Sequence, residues 1–179
     1  TRMYESIRAA LQAYENEMFT TWAQTVDGTL AEKLTLPLLT REPKTAELAV
    51  NFDPQLVKLL NEVKYFVIEG KTPEVPEVAM SLYNSAEAFH IQREQLTLIK
   101  DKYNHMLRTM LDVEKPLLKA QMKAIDKTLD RGLKGLTWKS EDAAKNAFIA
   151  EAAELVNEAH ATLAEMKANM KGVEDVLKK

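Results

Sequence analysis

The sequence contains no cysteine and little glycine or proline: 5 Gly and 6 Pro occur in 179 residues. Without cysteine the chain can form no disulfide, thiolate nucleophile or cysteine zinc site. The low glycine and proline content disfavours a β-sandwich or another loop-rich fold and favours an all-α fold. A glycine-rich phosphate-binding loop is not visible, because the glycines are widely scattered: Gly28, Gly70, Gly132, Gly135 and Gly172.

An excess of basic charge and long apolar runs are also missing. The formal net charge is -3, which argues against a dedicated nucleic-acid binder with its basic stripe and high pI. No apolar run approaches the roughly 20 residues that a transmembrane helix needs. Hydrophobic residues make up 46% and charged residues 28%, which is typical of a chain that buries a core. We therefore expect neither nucleic acid nor a membrane as a partner.

Apolar residues at steps of three and four predict a first helix from about Arg2 to the region of Leu34. Gly28 weakens this helix, because an interior glycine costs about 1 kcal/mol relative to alanine, but the pattern continues through it. Pro37 ends the helix, since the residue before a proline is pushed out of the α region. The predicted apolar face consists of Ile7, Leu11, Tyr14, Met18, Trp22 and Val26.

Two short extended runs and a helix start follow. The runs lie on either side of a turn that carries Pro43 and predict a short β-hairpin near residues 36–52, which must pack against helices to be stable. Asp53 is suited to cap the next helix, and Pro54 to occupy its first position. Gly70 is expected to close this helix as its C′ residue. Its predicted apolar face is Leu56, Leu59, Leu60, Val63 and Phe66 or Val67.

Three further helical regions complete the chain. Residues from Pro76 to about Val113 form either one long helix or two nearly coaxial ones, and Pro116 marks a break or kink. The helix after it carries Leu118, Met122, Ile125, Leu129 and Leu133 and ends at Gly132 and Gly135. Ser140 is predicted to cap a last helix that runs to Lys179, roughly 60 Å long at 1.5 Å per residue.

The near-heptad spacing of this last helix favours a scaffold or stalk, and we expect an elongated multi-helix bundle. Its apolar positions are Phe148, Ala152, Leu155, Ala159, Leu163, Met166, Met170, Val173 and Leu177. Both ends of the chain look like cuts through a longer protein. We therefore interpret residues 1–179 as one segment of a much longer chain.

The search for catalytic chemistry yields one weak pattern. Glu87 and His90 form the E-x-x-H unit that di-iron carboxylate bundles use, because positions i and i+3 direct two ligands at one metal. Such bundles need two units, and neither His105 nor His160 has a glutamate three residues before it. A solvated helix face is the stronger interpretation. We predict no catalytic, cofactor-binding or metal-binding residues in this segment.

Three other groups have a functional and a structural interpretation. Methionines could form an adaptable binding surface, but at helical spacing they more often lie in a core: Met80, Met106, Met110, Met122, Met166 and Met170. Lysines at i, i+4 spacing could bind an acidic partner, but a solvated stripe balanced by Asp126 and Asp130 is favoured: Lys115, Lys119, Lys123 and Lys127. Trp22 and Trp138 are interpreted as core or junction anchors rather than ligand platforms.

A series of short sequence words carries more information than composition or spacing. Asn51-Phe52-Asp53-Pro54, followed by Leu59-Leu60 and Glu62-Val63-Lys64-Tyr65, resembles the N-F-D-P…L-L-x-E-V-x-Y word of the dynein heavy chain N-terminal tail. Pro37-Leu38-Leu39-Thr40-Arg41 is similar to that family's P-L-L-x-R. Further similar words follow in the same order: Tyr103-Asn104, Glu114-Lys115-Pro116-Leu117-Leu118, Ile125-Asp126, Gly132-Leu133 and Leu136-Thr137-Trp138-Lys139-Ser140. The E-V-K-Y form looks more like axonemal than cytoplasmic heavy chains.

The resemblance, which extends from about Trp22 to Ser140, implies a stack of tail helical bundles far upstream of the AAA+ motor ring. It implies a non-catalytic role in motor assembly for ciliary motility, in the cytoplasm and in the axoneme of the cilium or flagellum. The implied partners are other heavy chains, intermediate and light chains, and the docking complex or the doublet microtubule. ATP and Mg²⁺ would be bound only elsewhere in the full-length chain. Two alternatives remain open: a generic coiled-coil tether or adaptor, and a metal-dependent helical-bundle enzyme.

Overall fold

A computed structural model describes residues 2–178 and shows an all-α fold with one small β-hairpin, as predicted. Within those residues the helices are α1 (Arg2–Leu34), α2 (Pro54–Ile68), α3 (Glu77–Asn84), α4 (Ala86–Thr109), α5 (Lys115–Asp130) and α6 (Asp142–Leu177). Strands β1 (Leu39–Arg41) and β2 (Leu48–Val50) pair antiparallel, with Leu39 opposite Val50 and Arg41 opposite Leu48. A short 3₁₀ helix spans Thr72–Glu74, and a π-helical turn spans Arg131–Gly135. None of the described helices combines the length and apolar content needed to cross a membrane.

The chain divides into two compact units. The first contains the chain up to Leu34 together with Asp53–Ala86, and the second contains Thr35–Phe52 and the chain from Glu87 onwards. In the first unit α3 contacts both α1 and α2. Its core side chains are Phe19, Val26, Leu30, Leu56, Leu59, Val63, Val75, Ala79 and Leu82.

The second unit is built around α5 and α6, with the hairpin against the π-helical turn. The interior positions of both strands are apolar, which gives the marginal two-stranded ribbon the helical support that it needs. Its core side chains are Leu38, Leu39, Leu48, Phe89, Leu96, Ile99, Tyr103, Met106, Leu118, Ile125, Leu129, Trp138, Phe148, Ile149, Ala152, Val156, Ala159 and Leu163.

The predicted ends of α2 are confirmed. Asp53 has extended backbone angles, and its Oδ1 accepts a hydrogen bond from the Gln55 amide at 2.8 Å, while Pro54 begins the helix. Gly70 has a φ of 77°, in the left-handed region that favours glycine. The Gly70 amide donates to the Val67 carbonyl at 3.2 Å and the Lys71 amide to the Phe66 carbonyl at 2.9 Å. These two bonds are a Schellman motif.

Other helix boundaries differ in detail from the predictions. Of the two arrangements expected after Pro76, the chain adopts two helices, separated at Ser85. Pro116 lies at the start of α5 and therefore marks a break, as predicted. Ser140 is not the cap of α6, however: the cap position is Glu141. The Ser140 Oγ instead accepts from the Thr137 amide at 3.0 Å, inside the connector.

The burial of α1 and α6 also departs from their apolar patterns. Every residue from 2 to 18 of α1 is exposed, so only two residues of the predicted face are covered: Trp22 is half-buried and Val26 is buried. In α6 the sequence pattern selects Leu155, but the structure buries Val156 and Ile149 and leaves Val173 and Leu177 exposed. Periodicity identifies an apolar face but does not show whether a neighbouring element covers it.

Candidate assembly surfaces

Trp138 joins the hairpin region to the connector before α6. Its indole Nε1 donates to the Asn51 carbonyl at 2.6 Å, and its backbone amide donates to the Leu36 carbonyl at 3.4 Å. The side chain is 1% exposed. Rings of Phe52 and Phe89 pack edge-on against it, with centroids 4.9 and 6.1 Å away. The interpretation of Trp138 as a junction anchor is confirmed.

Lys145 of α6 contacts this junction, and its side chain is 2% exposed. Its Nζ donates to the Trp138 carbonyl at 3.1 Å, pairs with Asp142 Oδ1 at 2.9 Å and lies 4.7 Å from the centroid of the Phe89 ring. Hydrogen bonds from Lys145 and Gln92, with the lysine charge, hold the pKa of Asp142 below its ordinary value. The burial of Lys145 was not predicted. Its spacing within α6 fits the apolar face, but a charged side chain is normally expected in solvent.

Polar contacts fix the hairpin to α4 and α5 inside the second unit. Arg41 donates to the Tyr103 hydroxyl at 2.9 Å and to Asp126 Oδ1 at 3.1 Å, and the same carboxylate accepts from the Tyr103 hydroxyl at 2.7 Å. Burial, with the neighbouring Asp126 carboxylate, raises the pKa of Tyr103 to about 12. The phenol therefore stays protonated and donates to Asp126.

The edge of β2 is fixed by a second polar set. Asn104 accepts from the Leu48 amide at 2.8 Å and donates to the Leu48 carbonyl at 2.9 Å. Arg108 forms a bidentate pair with Glu47, at 2.6 and 2.7 Å. The Arg108 hydrogen bond lowers the pKa of Glu47. All three residues of the first set, Arg41, Tyr103 and Asp126, belong to the sequence words, whereas the second set shares only Asn104 with them. Part of the series of words therefore reflects how the hairpin is held.

The Asp53 carboxylate has two partners in the first unit. One oxygen accepts from the Gln55 amide, and Oδ2 pairs with Lys33 Nζ at 2.9 Å. The backbone hydrogen bond from Gln55, followed by that from Lys33, lowers the pKa of Asp53. The cap of α2 is thereby tied to the last turn of α1.

An apolar stripe on the first half of α1, here called the α1 seam, faces solvent. It comprises Tyr4, Ile7, Leu11, Tyr14 and Met18, which are between 52% and 72% exposed. Their spacing is three, four, three and four residues, the a/d pattern of a coiled coil. Such a stripe on a stable helix indicates a surface that another helix can cover.

The α1 seam continues into an aromatic patch between α1 and α2. Phe66 contacts Phe19 edge-on at 4.9 Å and Trp22 at 4.7 Å between ring centroids. Trp22 Nε1 donates to Glu62 Oε2 at 2.8 Å. Tyr65 remains 56% exposed at the rim. Trp22 is therefore partly buried, as an anchor between two helices.

A second exposed apolar stripe lies at the end of α6 and is called the α6 end. It comprises Met170, Val173, Val176 and Leu177. The residues before it, from Phe148 to Leu163, are covered by the rest of the second unit. Each of the two terminal helices thus has one covered half and one half with free apolar side chains.

Of the three histidines considered in the sequence analysis, the structure brings His105 and His160 together, with ring centroids 5.7 Å apart. His90 Nε2 lies 3.4 Å from Glu94, and the residues from 2 to 178 contain no group of three or more His, Asp and Glu side chains that could hold a metal ion. The four stripe lysines of α5 are exposed. The acidic residues expected to balance them pair elsewhere, Asp126 with Arg41 and Asp130 with Lys134.

The methionines have mixed positions. Met106 is fully buried, as the core interpretation requires, whereas Met170 is 42% exposed. Met80, Met110, Met122 and Met166 are half-buried. A uniform methionine surface is not formed.

Comparison with known proteins identifies the relatives of this chain. Residues 1–145 match the family model described as "Dynein heavy chain, N-terminal region 1". The chain is 35% identical, over 207 aligned positions, to the dynein beta chain of the flagellar outer arm of Chlamydomonas reinhardtii, an alignment that covers 98% of this chain. It is 28% identical to dynein axonemal heavy chain 9 of Homo sapiens over 98% of its length, and 31% identical to the ciliary dynein beta chain of Tripneustes gratilla over 97%. The chain spans about 4% of the length of each of these relatives.

Proposed function

Since this chain belongs to the dynein heavy chains, in the first N-terminal region of the family, we propose that it is a non-catalytic tail segment of an axonemal heavy chain that serves assembly of the motor complex. The observation that carries the proposal is the combination of this membership with free heptad-spaced apolar residues on α1. Heptad surfaces associate with other helices. The matched relatives are named as axonemal, flagellar or ciliary dyneins, which supports a place in the axoneme. A cytoplasmic location is a further part of the proposal.

The proposed partners are other heavy chains, intermediate and light chains, and the docking complex or the doublet microtubule. The exposed α1 seam and α6 end are the surfaces that we assign to them. The buried and half-buried charged groups support a structural interpretation of the interior, because they join elements of the fold: Lys145 with Asp142, and Arg41 with Tyr103 and Asp126. We assign ATP and Mg²⁺ binding to parts of the full-length protein outside this segment.

The experiment is recovery of dynein subunits from an extract of cilia on the immobilised, tagged chain. Intermediate chains and heavy chains, identified by immunoblotting, are expected with the wild-type chain. Leu11→Glu in the α1 seam and Val176→Glu in the α6 end each introduce a charge at an exposed position, so the fold should persist. We expect at least one of them to remove the dynein subunits.

Lys123→Glu is the matched control, because it introduces the same side chain at an exposed position of α5. It should recover the subunits as the wild type does, and circular dichroism should show equal helicity for all four proteins. Recovery of vesicle-tether proteins without dynein subunits would reject the assembly role and favour a generic tether. A stoichiometric di-metal content in the purified chain would favour the metal-enzyme alternative.

A further inference from the structure

Two histidines from different helices of the second unit meet at its surface. The rings of His105, on α4, and His160, on α6, have centroids 5.7 Å apart and planes inclined at 51°. His105 is exposed and His160 is half-buried, so an ion in solution can reach both. Within residues 2–178 their ring nitrogens make no hydrogen bond and no ion pair. Each neutral imidazole therefore has a free lone pair, which is what a metal ion binds.

The two helices are fixed in register on both sides of this pair. One turn before it, Lys102 Nζ of α4 donates to Asn157 Oδ1 of α6 at 2.6 Å. Beyond it, Lys167 Nζ of α6 donates to the carbonyl of Thr109, the last residue of α4, at 2.7 Å. An ion that bridges the two histidines would find its ligands already in place, so binding would cost little conformational entropy.

The separation of the rings fits a shared ion. Zn²⁺ binds an imidazole nitrogen at about 2.0–2.1 Å, which places the centre of each ligating ring about 3.2 Å from the metal. Two such rings at a tetrahedral angle have centres about 5.2 Å apart. The observed 5.7 Å exceeds this value by about 0.5 Å, a difference that a small rotation about the side-chain torsions removes.

The type and number of ligands define the class of ion. Imidazole nitrogen suits Zn²⁺, Ni²⁺ and Cu²⁺, whereas Mg²⁺ and Ca²⁺ take oxygen ligands. Residues 2–178 supply no third His, Asp or Glu side chain to this pair, so water would complete the coordination. The positive charge of Arg108, three residues after His105, is offset by its bidentate pair with Glu47, which limits its repulsion of a cation.

We propose that His105 and His160 together bind one Zn²⁺ ion, which joins α4 to α6. The site goes beyond the assembly role and does not depend on it. With two protein ligands and one ion per chain, it is a clamp between helices and differs from the di-metal centre of a helical-bundle enzyme. Sequence spacing does not indicate the site, because its two ligands lie on different helices far apart in the chain.

The test is isothermal titration calorimetry with ZnCl₂ on the whole 179-residue chain, prepared without a histidine tag and freed of metal with EDTA. One ion per chain is expected. His105→Gln and His160→Gln should each weaken binding by roughly tenfold or more. The double variant should lose no more than either single variant, because the chelate needs both rings. MgCl₂ should give no binding at this pair.

His90→Gln is the matched control. It removes another exposed imidazole of α4, one that lies beside Glu94 instead of a second histidine, and it should leave the Zn²⁺ affinity unchanged. Circular dichroism should show equal helicity for all variants, since His105 and His90 are exposed and His160 is half-buried. An affinity that falls equally in His90→Gln, or that survives the loss of His105 or His160, would overturn the proposal, as would a wild-type chain that binds no Zn²⁺.

Two further measurements report on the clamp itself. Zn²⁺ should raise the thermal unfolding midpoint of the wild type and of His90→Gln but not of His105→Gln or His160→Gln, because an ion that binds the folded chain stabilises it. With Cu²⁺ as a paramagnetic probe, electron paramagnetic resonance should show two coordinated ring nitrogens in the wild type and one in either single variant. Recovery of dynein subunits by the EDTA-treated chain tests the assembly role separately, so failure of the metal site would leave that role intact.

Discussion

The indole Nε1 of Trp138 donates a hydrogen bond to the carbonyl oxygen of Asn51 at 2.6 Å, across 87 positions of sequence. Both residues lie in the words by which the sequence resembles its family, one in N-F-D-P and the other in L-T-W-K-S. The bond shows a physical reason for two such distant words to occur together. One supplies a half-buried carbonyl, and the other supplies a buried indole N–H that needs an acceptor.

Trp138→Phe should destabilise the second unit by about 1–3 kcal/mol, because the substitution leaves the half-buried Asn51 carbonyl without its donor. Urea unfolding followed by circular dichroism at 222 nm measures the change. Trp22→Phe is the matched control: the Trp22 indole donates to the carboxylate of Glu62, which solvent can reach, so its loss should be smaller. Equal stability of Trp138→Phe and the wild type would contradict the assigned role of this bond.

Asp142→Asn should destabilise the chain more than Lys145→Met. Replacement of the carboxylate leaves the buried lysine charge without its counterion, whereas removal of the lysine leaves a half-exposed carboxylate that water can solvate. Lys145→Met still orphans the Trp138 carbonyl, at a cost of about 1–3 kcal/mol.

The double variant Lys145→Met with Asp142→Asn tests this explanation. It should be more stable than Asp142→Asn alone, since the unpaired buried charge is gone; chemical denaturation of all four proteins gives the coupling energy. Additive losses would show that the two side chains act independently, contrary to the 2.9 Å pair.

Gly132→Ala should destabilise the chain while Gly28→Ala should stabilise it. A Cβ at Gly132 would lie 2.7 Å from Cε1 of Phe148 and 3.3 Å from Cδ1 of Leu39, and Phe148 is fully buried and cannot move freely. Overpacking of this kind costs about 1–3 kcal/mol. A Cβ at Gly28 meets nothing within 4 Å, and helix propensity favours alanine by about 1 kcal/mol. Thermal unfolding checks both signs, and equal shifts for the two variants would contradict the close approach at Gly132.

Local chemistry made several features of this fold predictable. The Asp53 cap, Pro54 at the first helical position and Gly70 at the C′ position depend on backbone geometry within a few residues, and the structure has all three. The hairpin and the continuation of α1 through Gly28 also follow from local pattern. The resemblance to dynein heavy chains, which came from the order of the words, is confirmed by the family match.

Features that depend on a distant partner were not predictable in the same way. The exposed first half of α1 has the same periodicity as its buried second half, so sequence spacing alone does not distinguish them. Lys145 is buried because Trp138, Asp142 and Phe89 surround its ammonium group, and these contacts exist only after folding. Ser140 is a good capping residue by type, but its hydroxyl accepts a hydrogen bond from the Thr137 amide in the connector, and the cap position of α6 is Glu141.

Acid should destabilise the second unit partly through Glu114, whose side chain is 1% exposed. Its carboxylate accepts hydrogen bonds from the Leu111 amide at 2.8 Å and from Lys167 Nζ at 3.1 Å. Both bonds lower the pKa of Glu114 below the ordinary 4.5, and the bond from Leu111 has the larger effect. The unfolded chain therefore binds a proton at higher pH than the folded chain does, so this stabilisation is complete above pH 4.5 and is lost as pH falls through the folded pKa. Urea midpoints measured between neutral and acidic pH should fall less steeply for Glu114→Gln than for the wild type. Glu165→Gln, an exposed control on α6, should follow the wild-type curve, and a Glu114→Gln curve that also does so would show that this carboxylate does not contribute to the acid response.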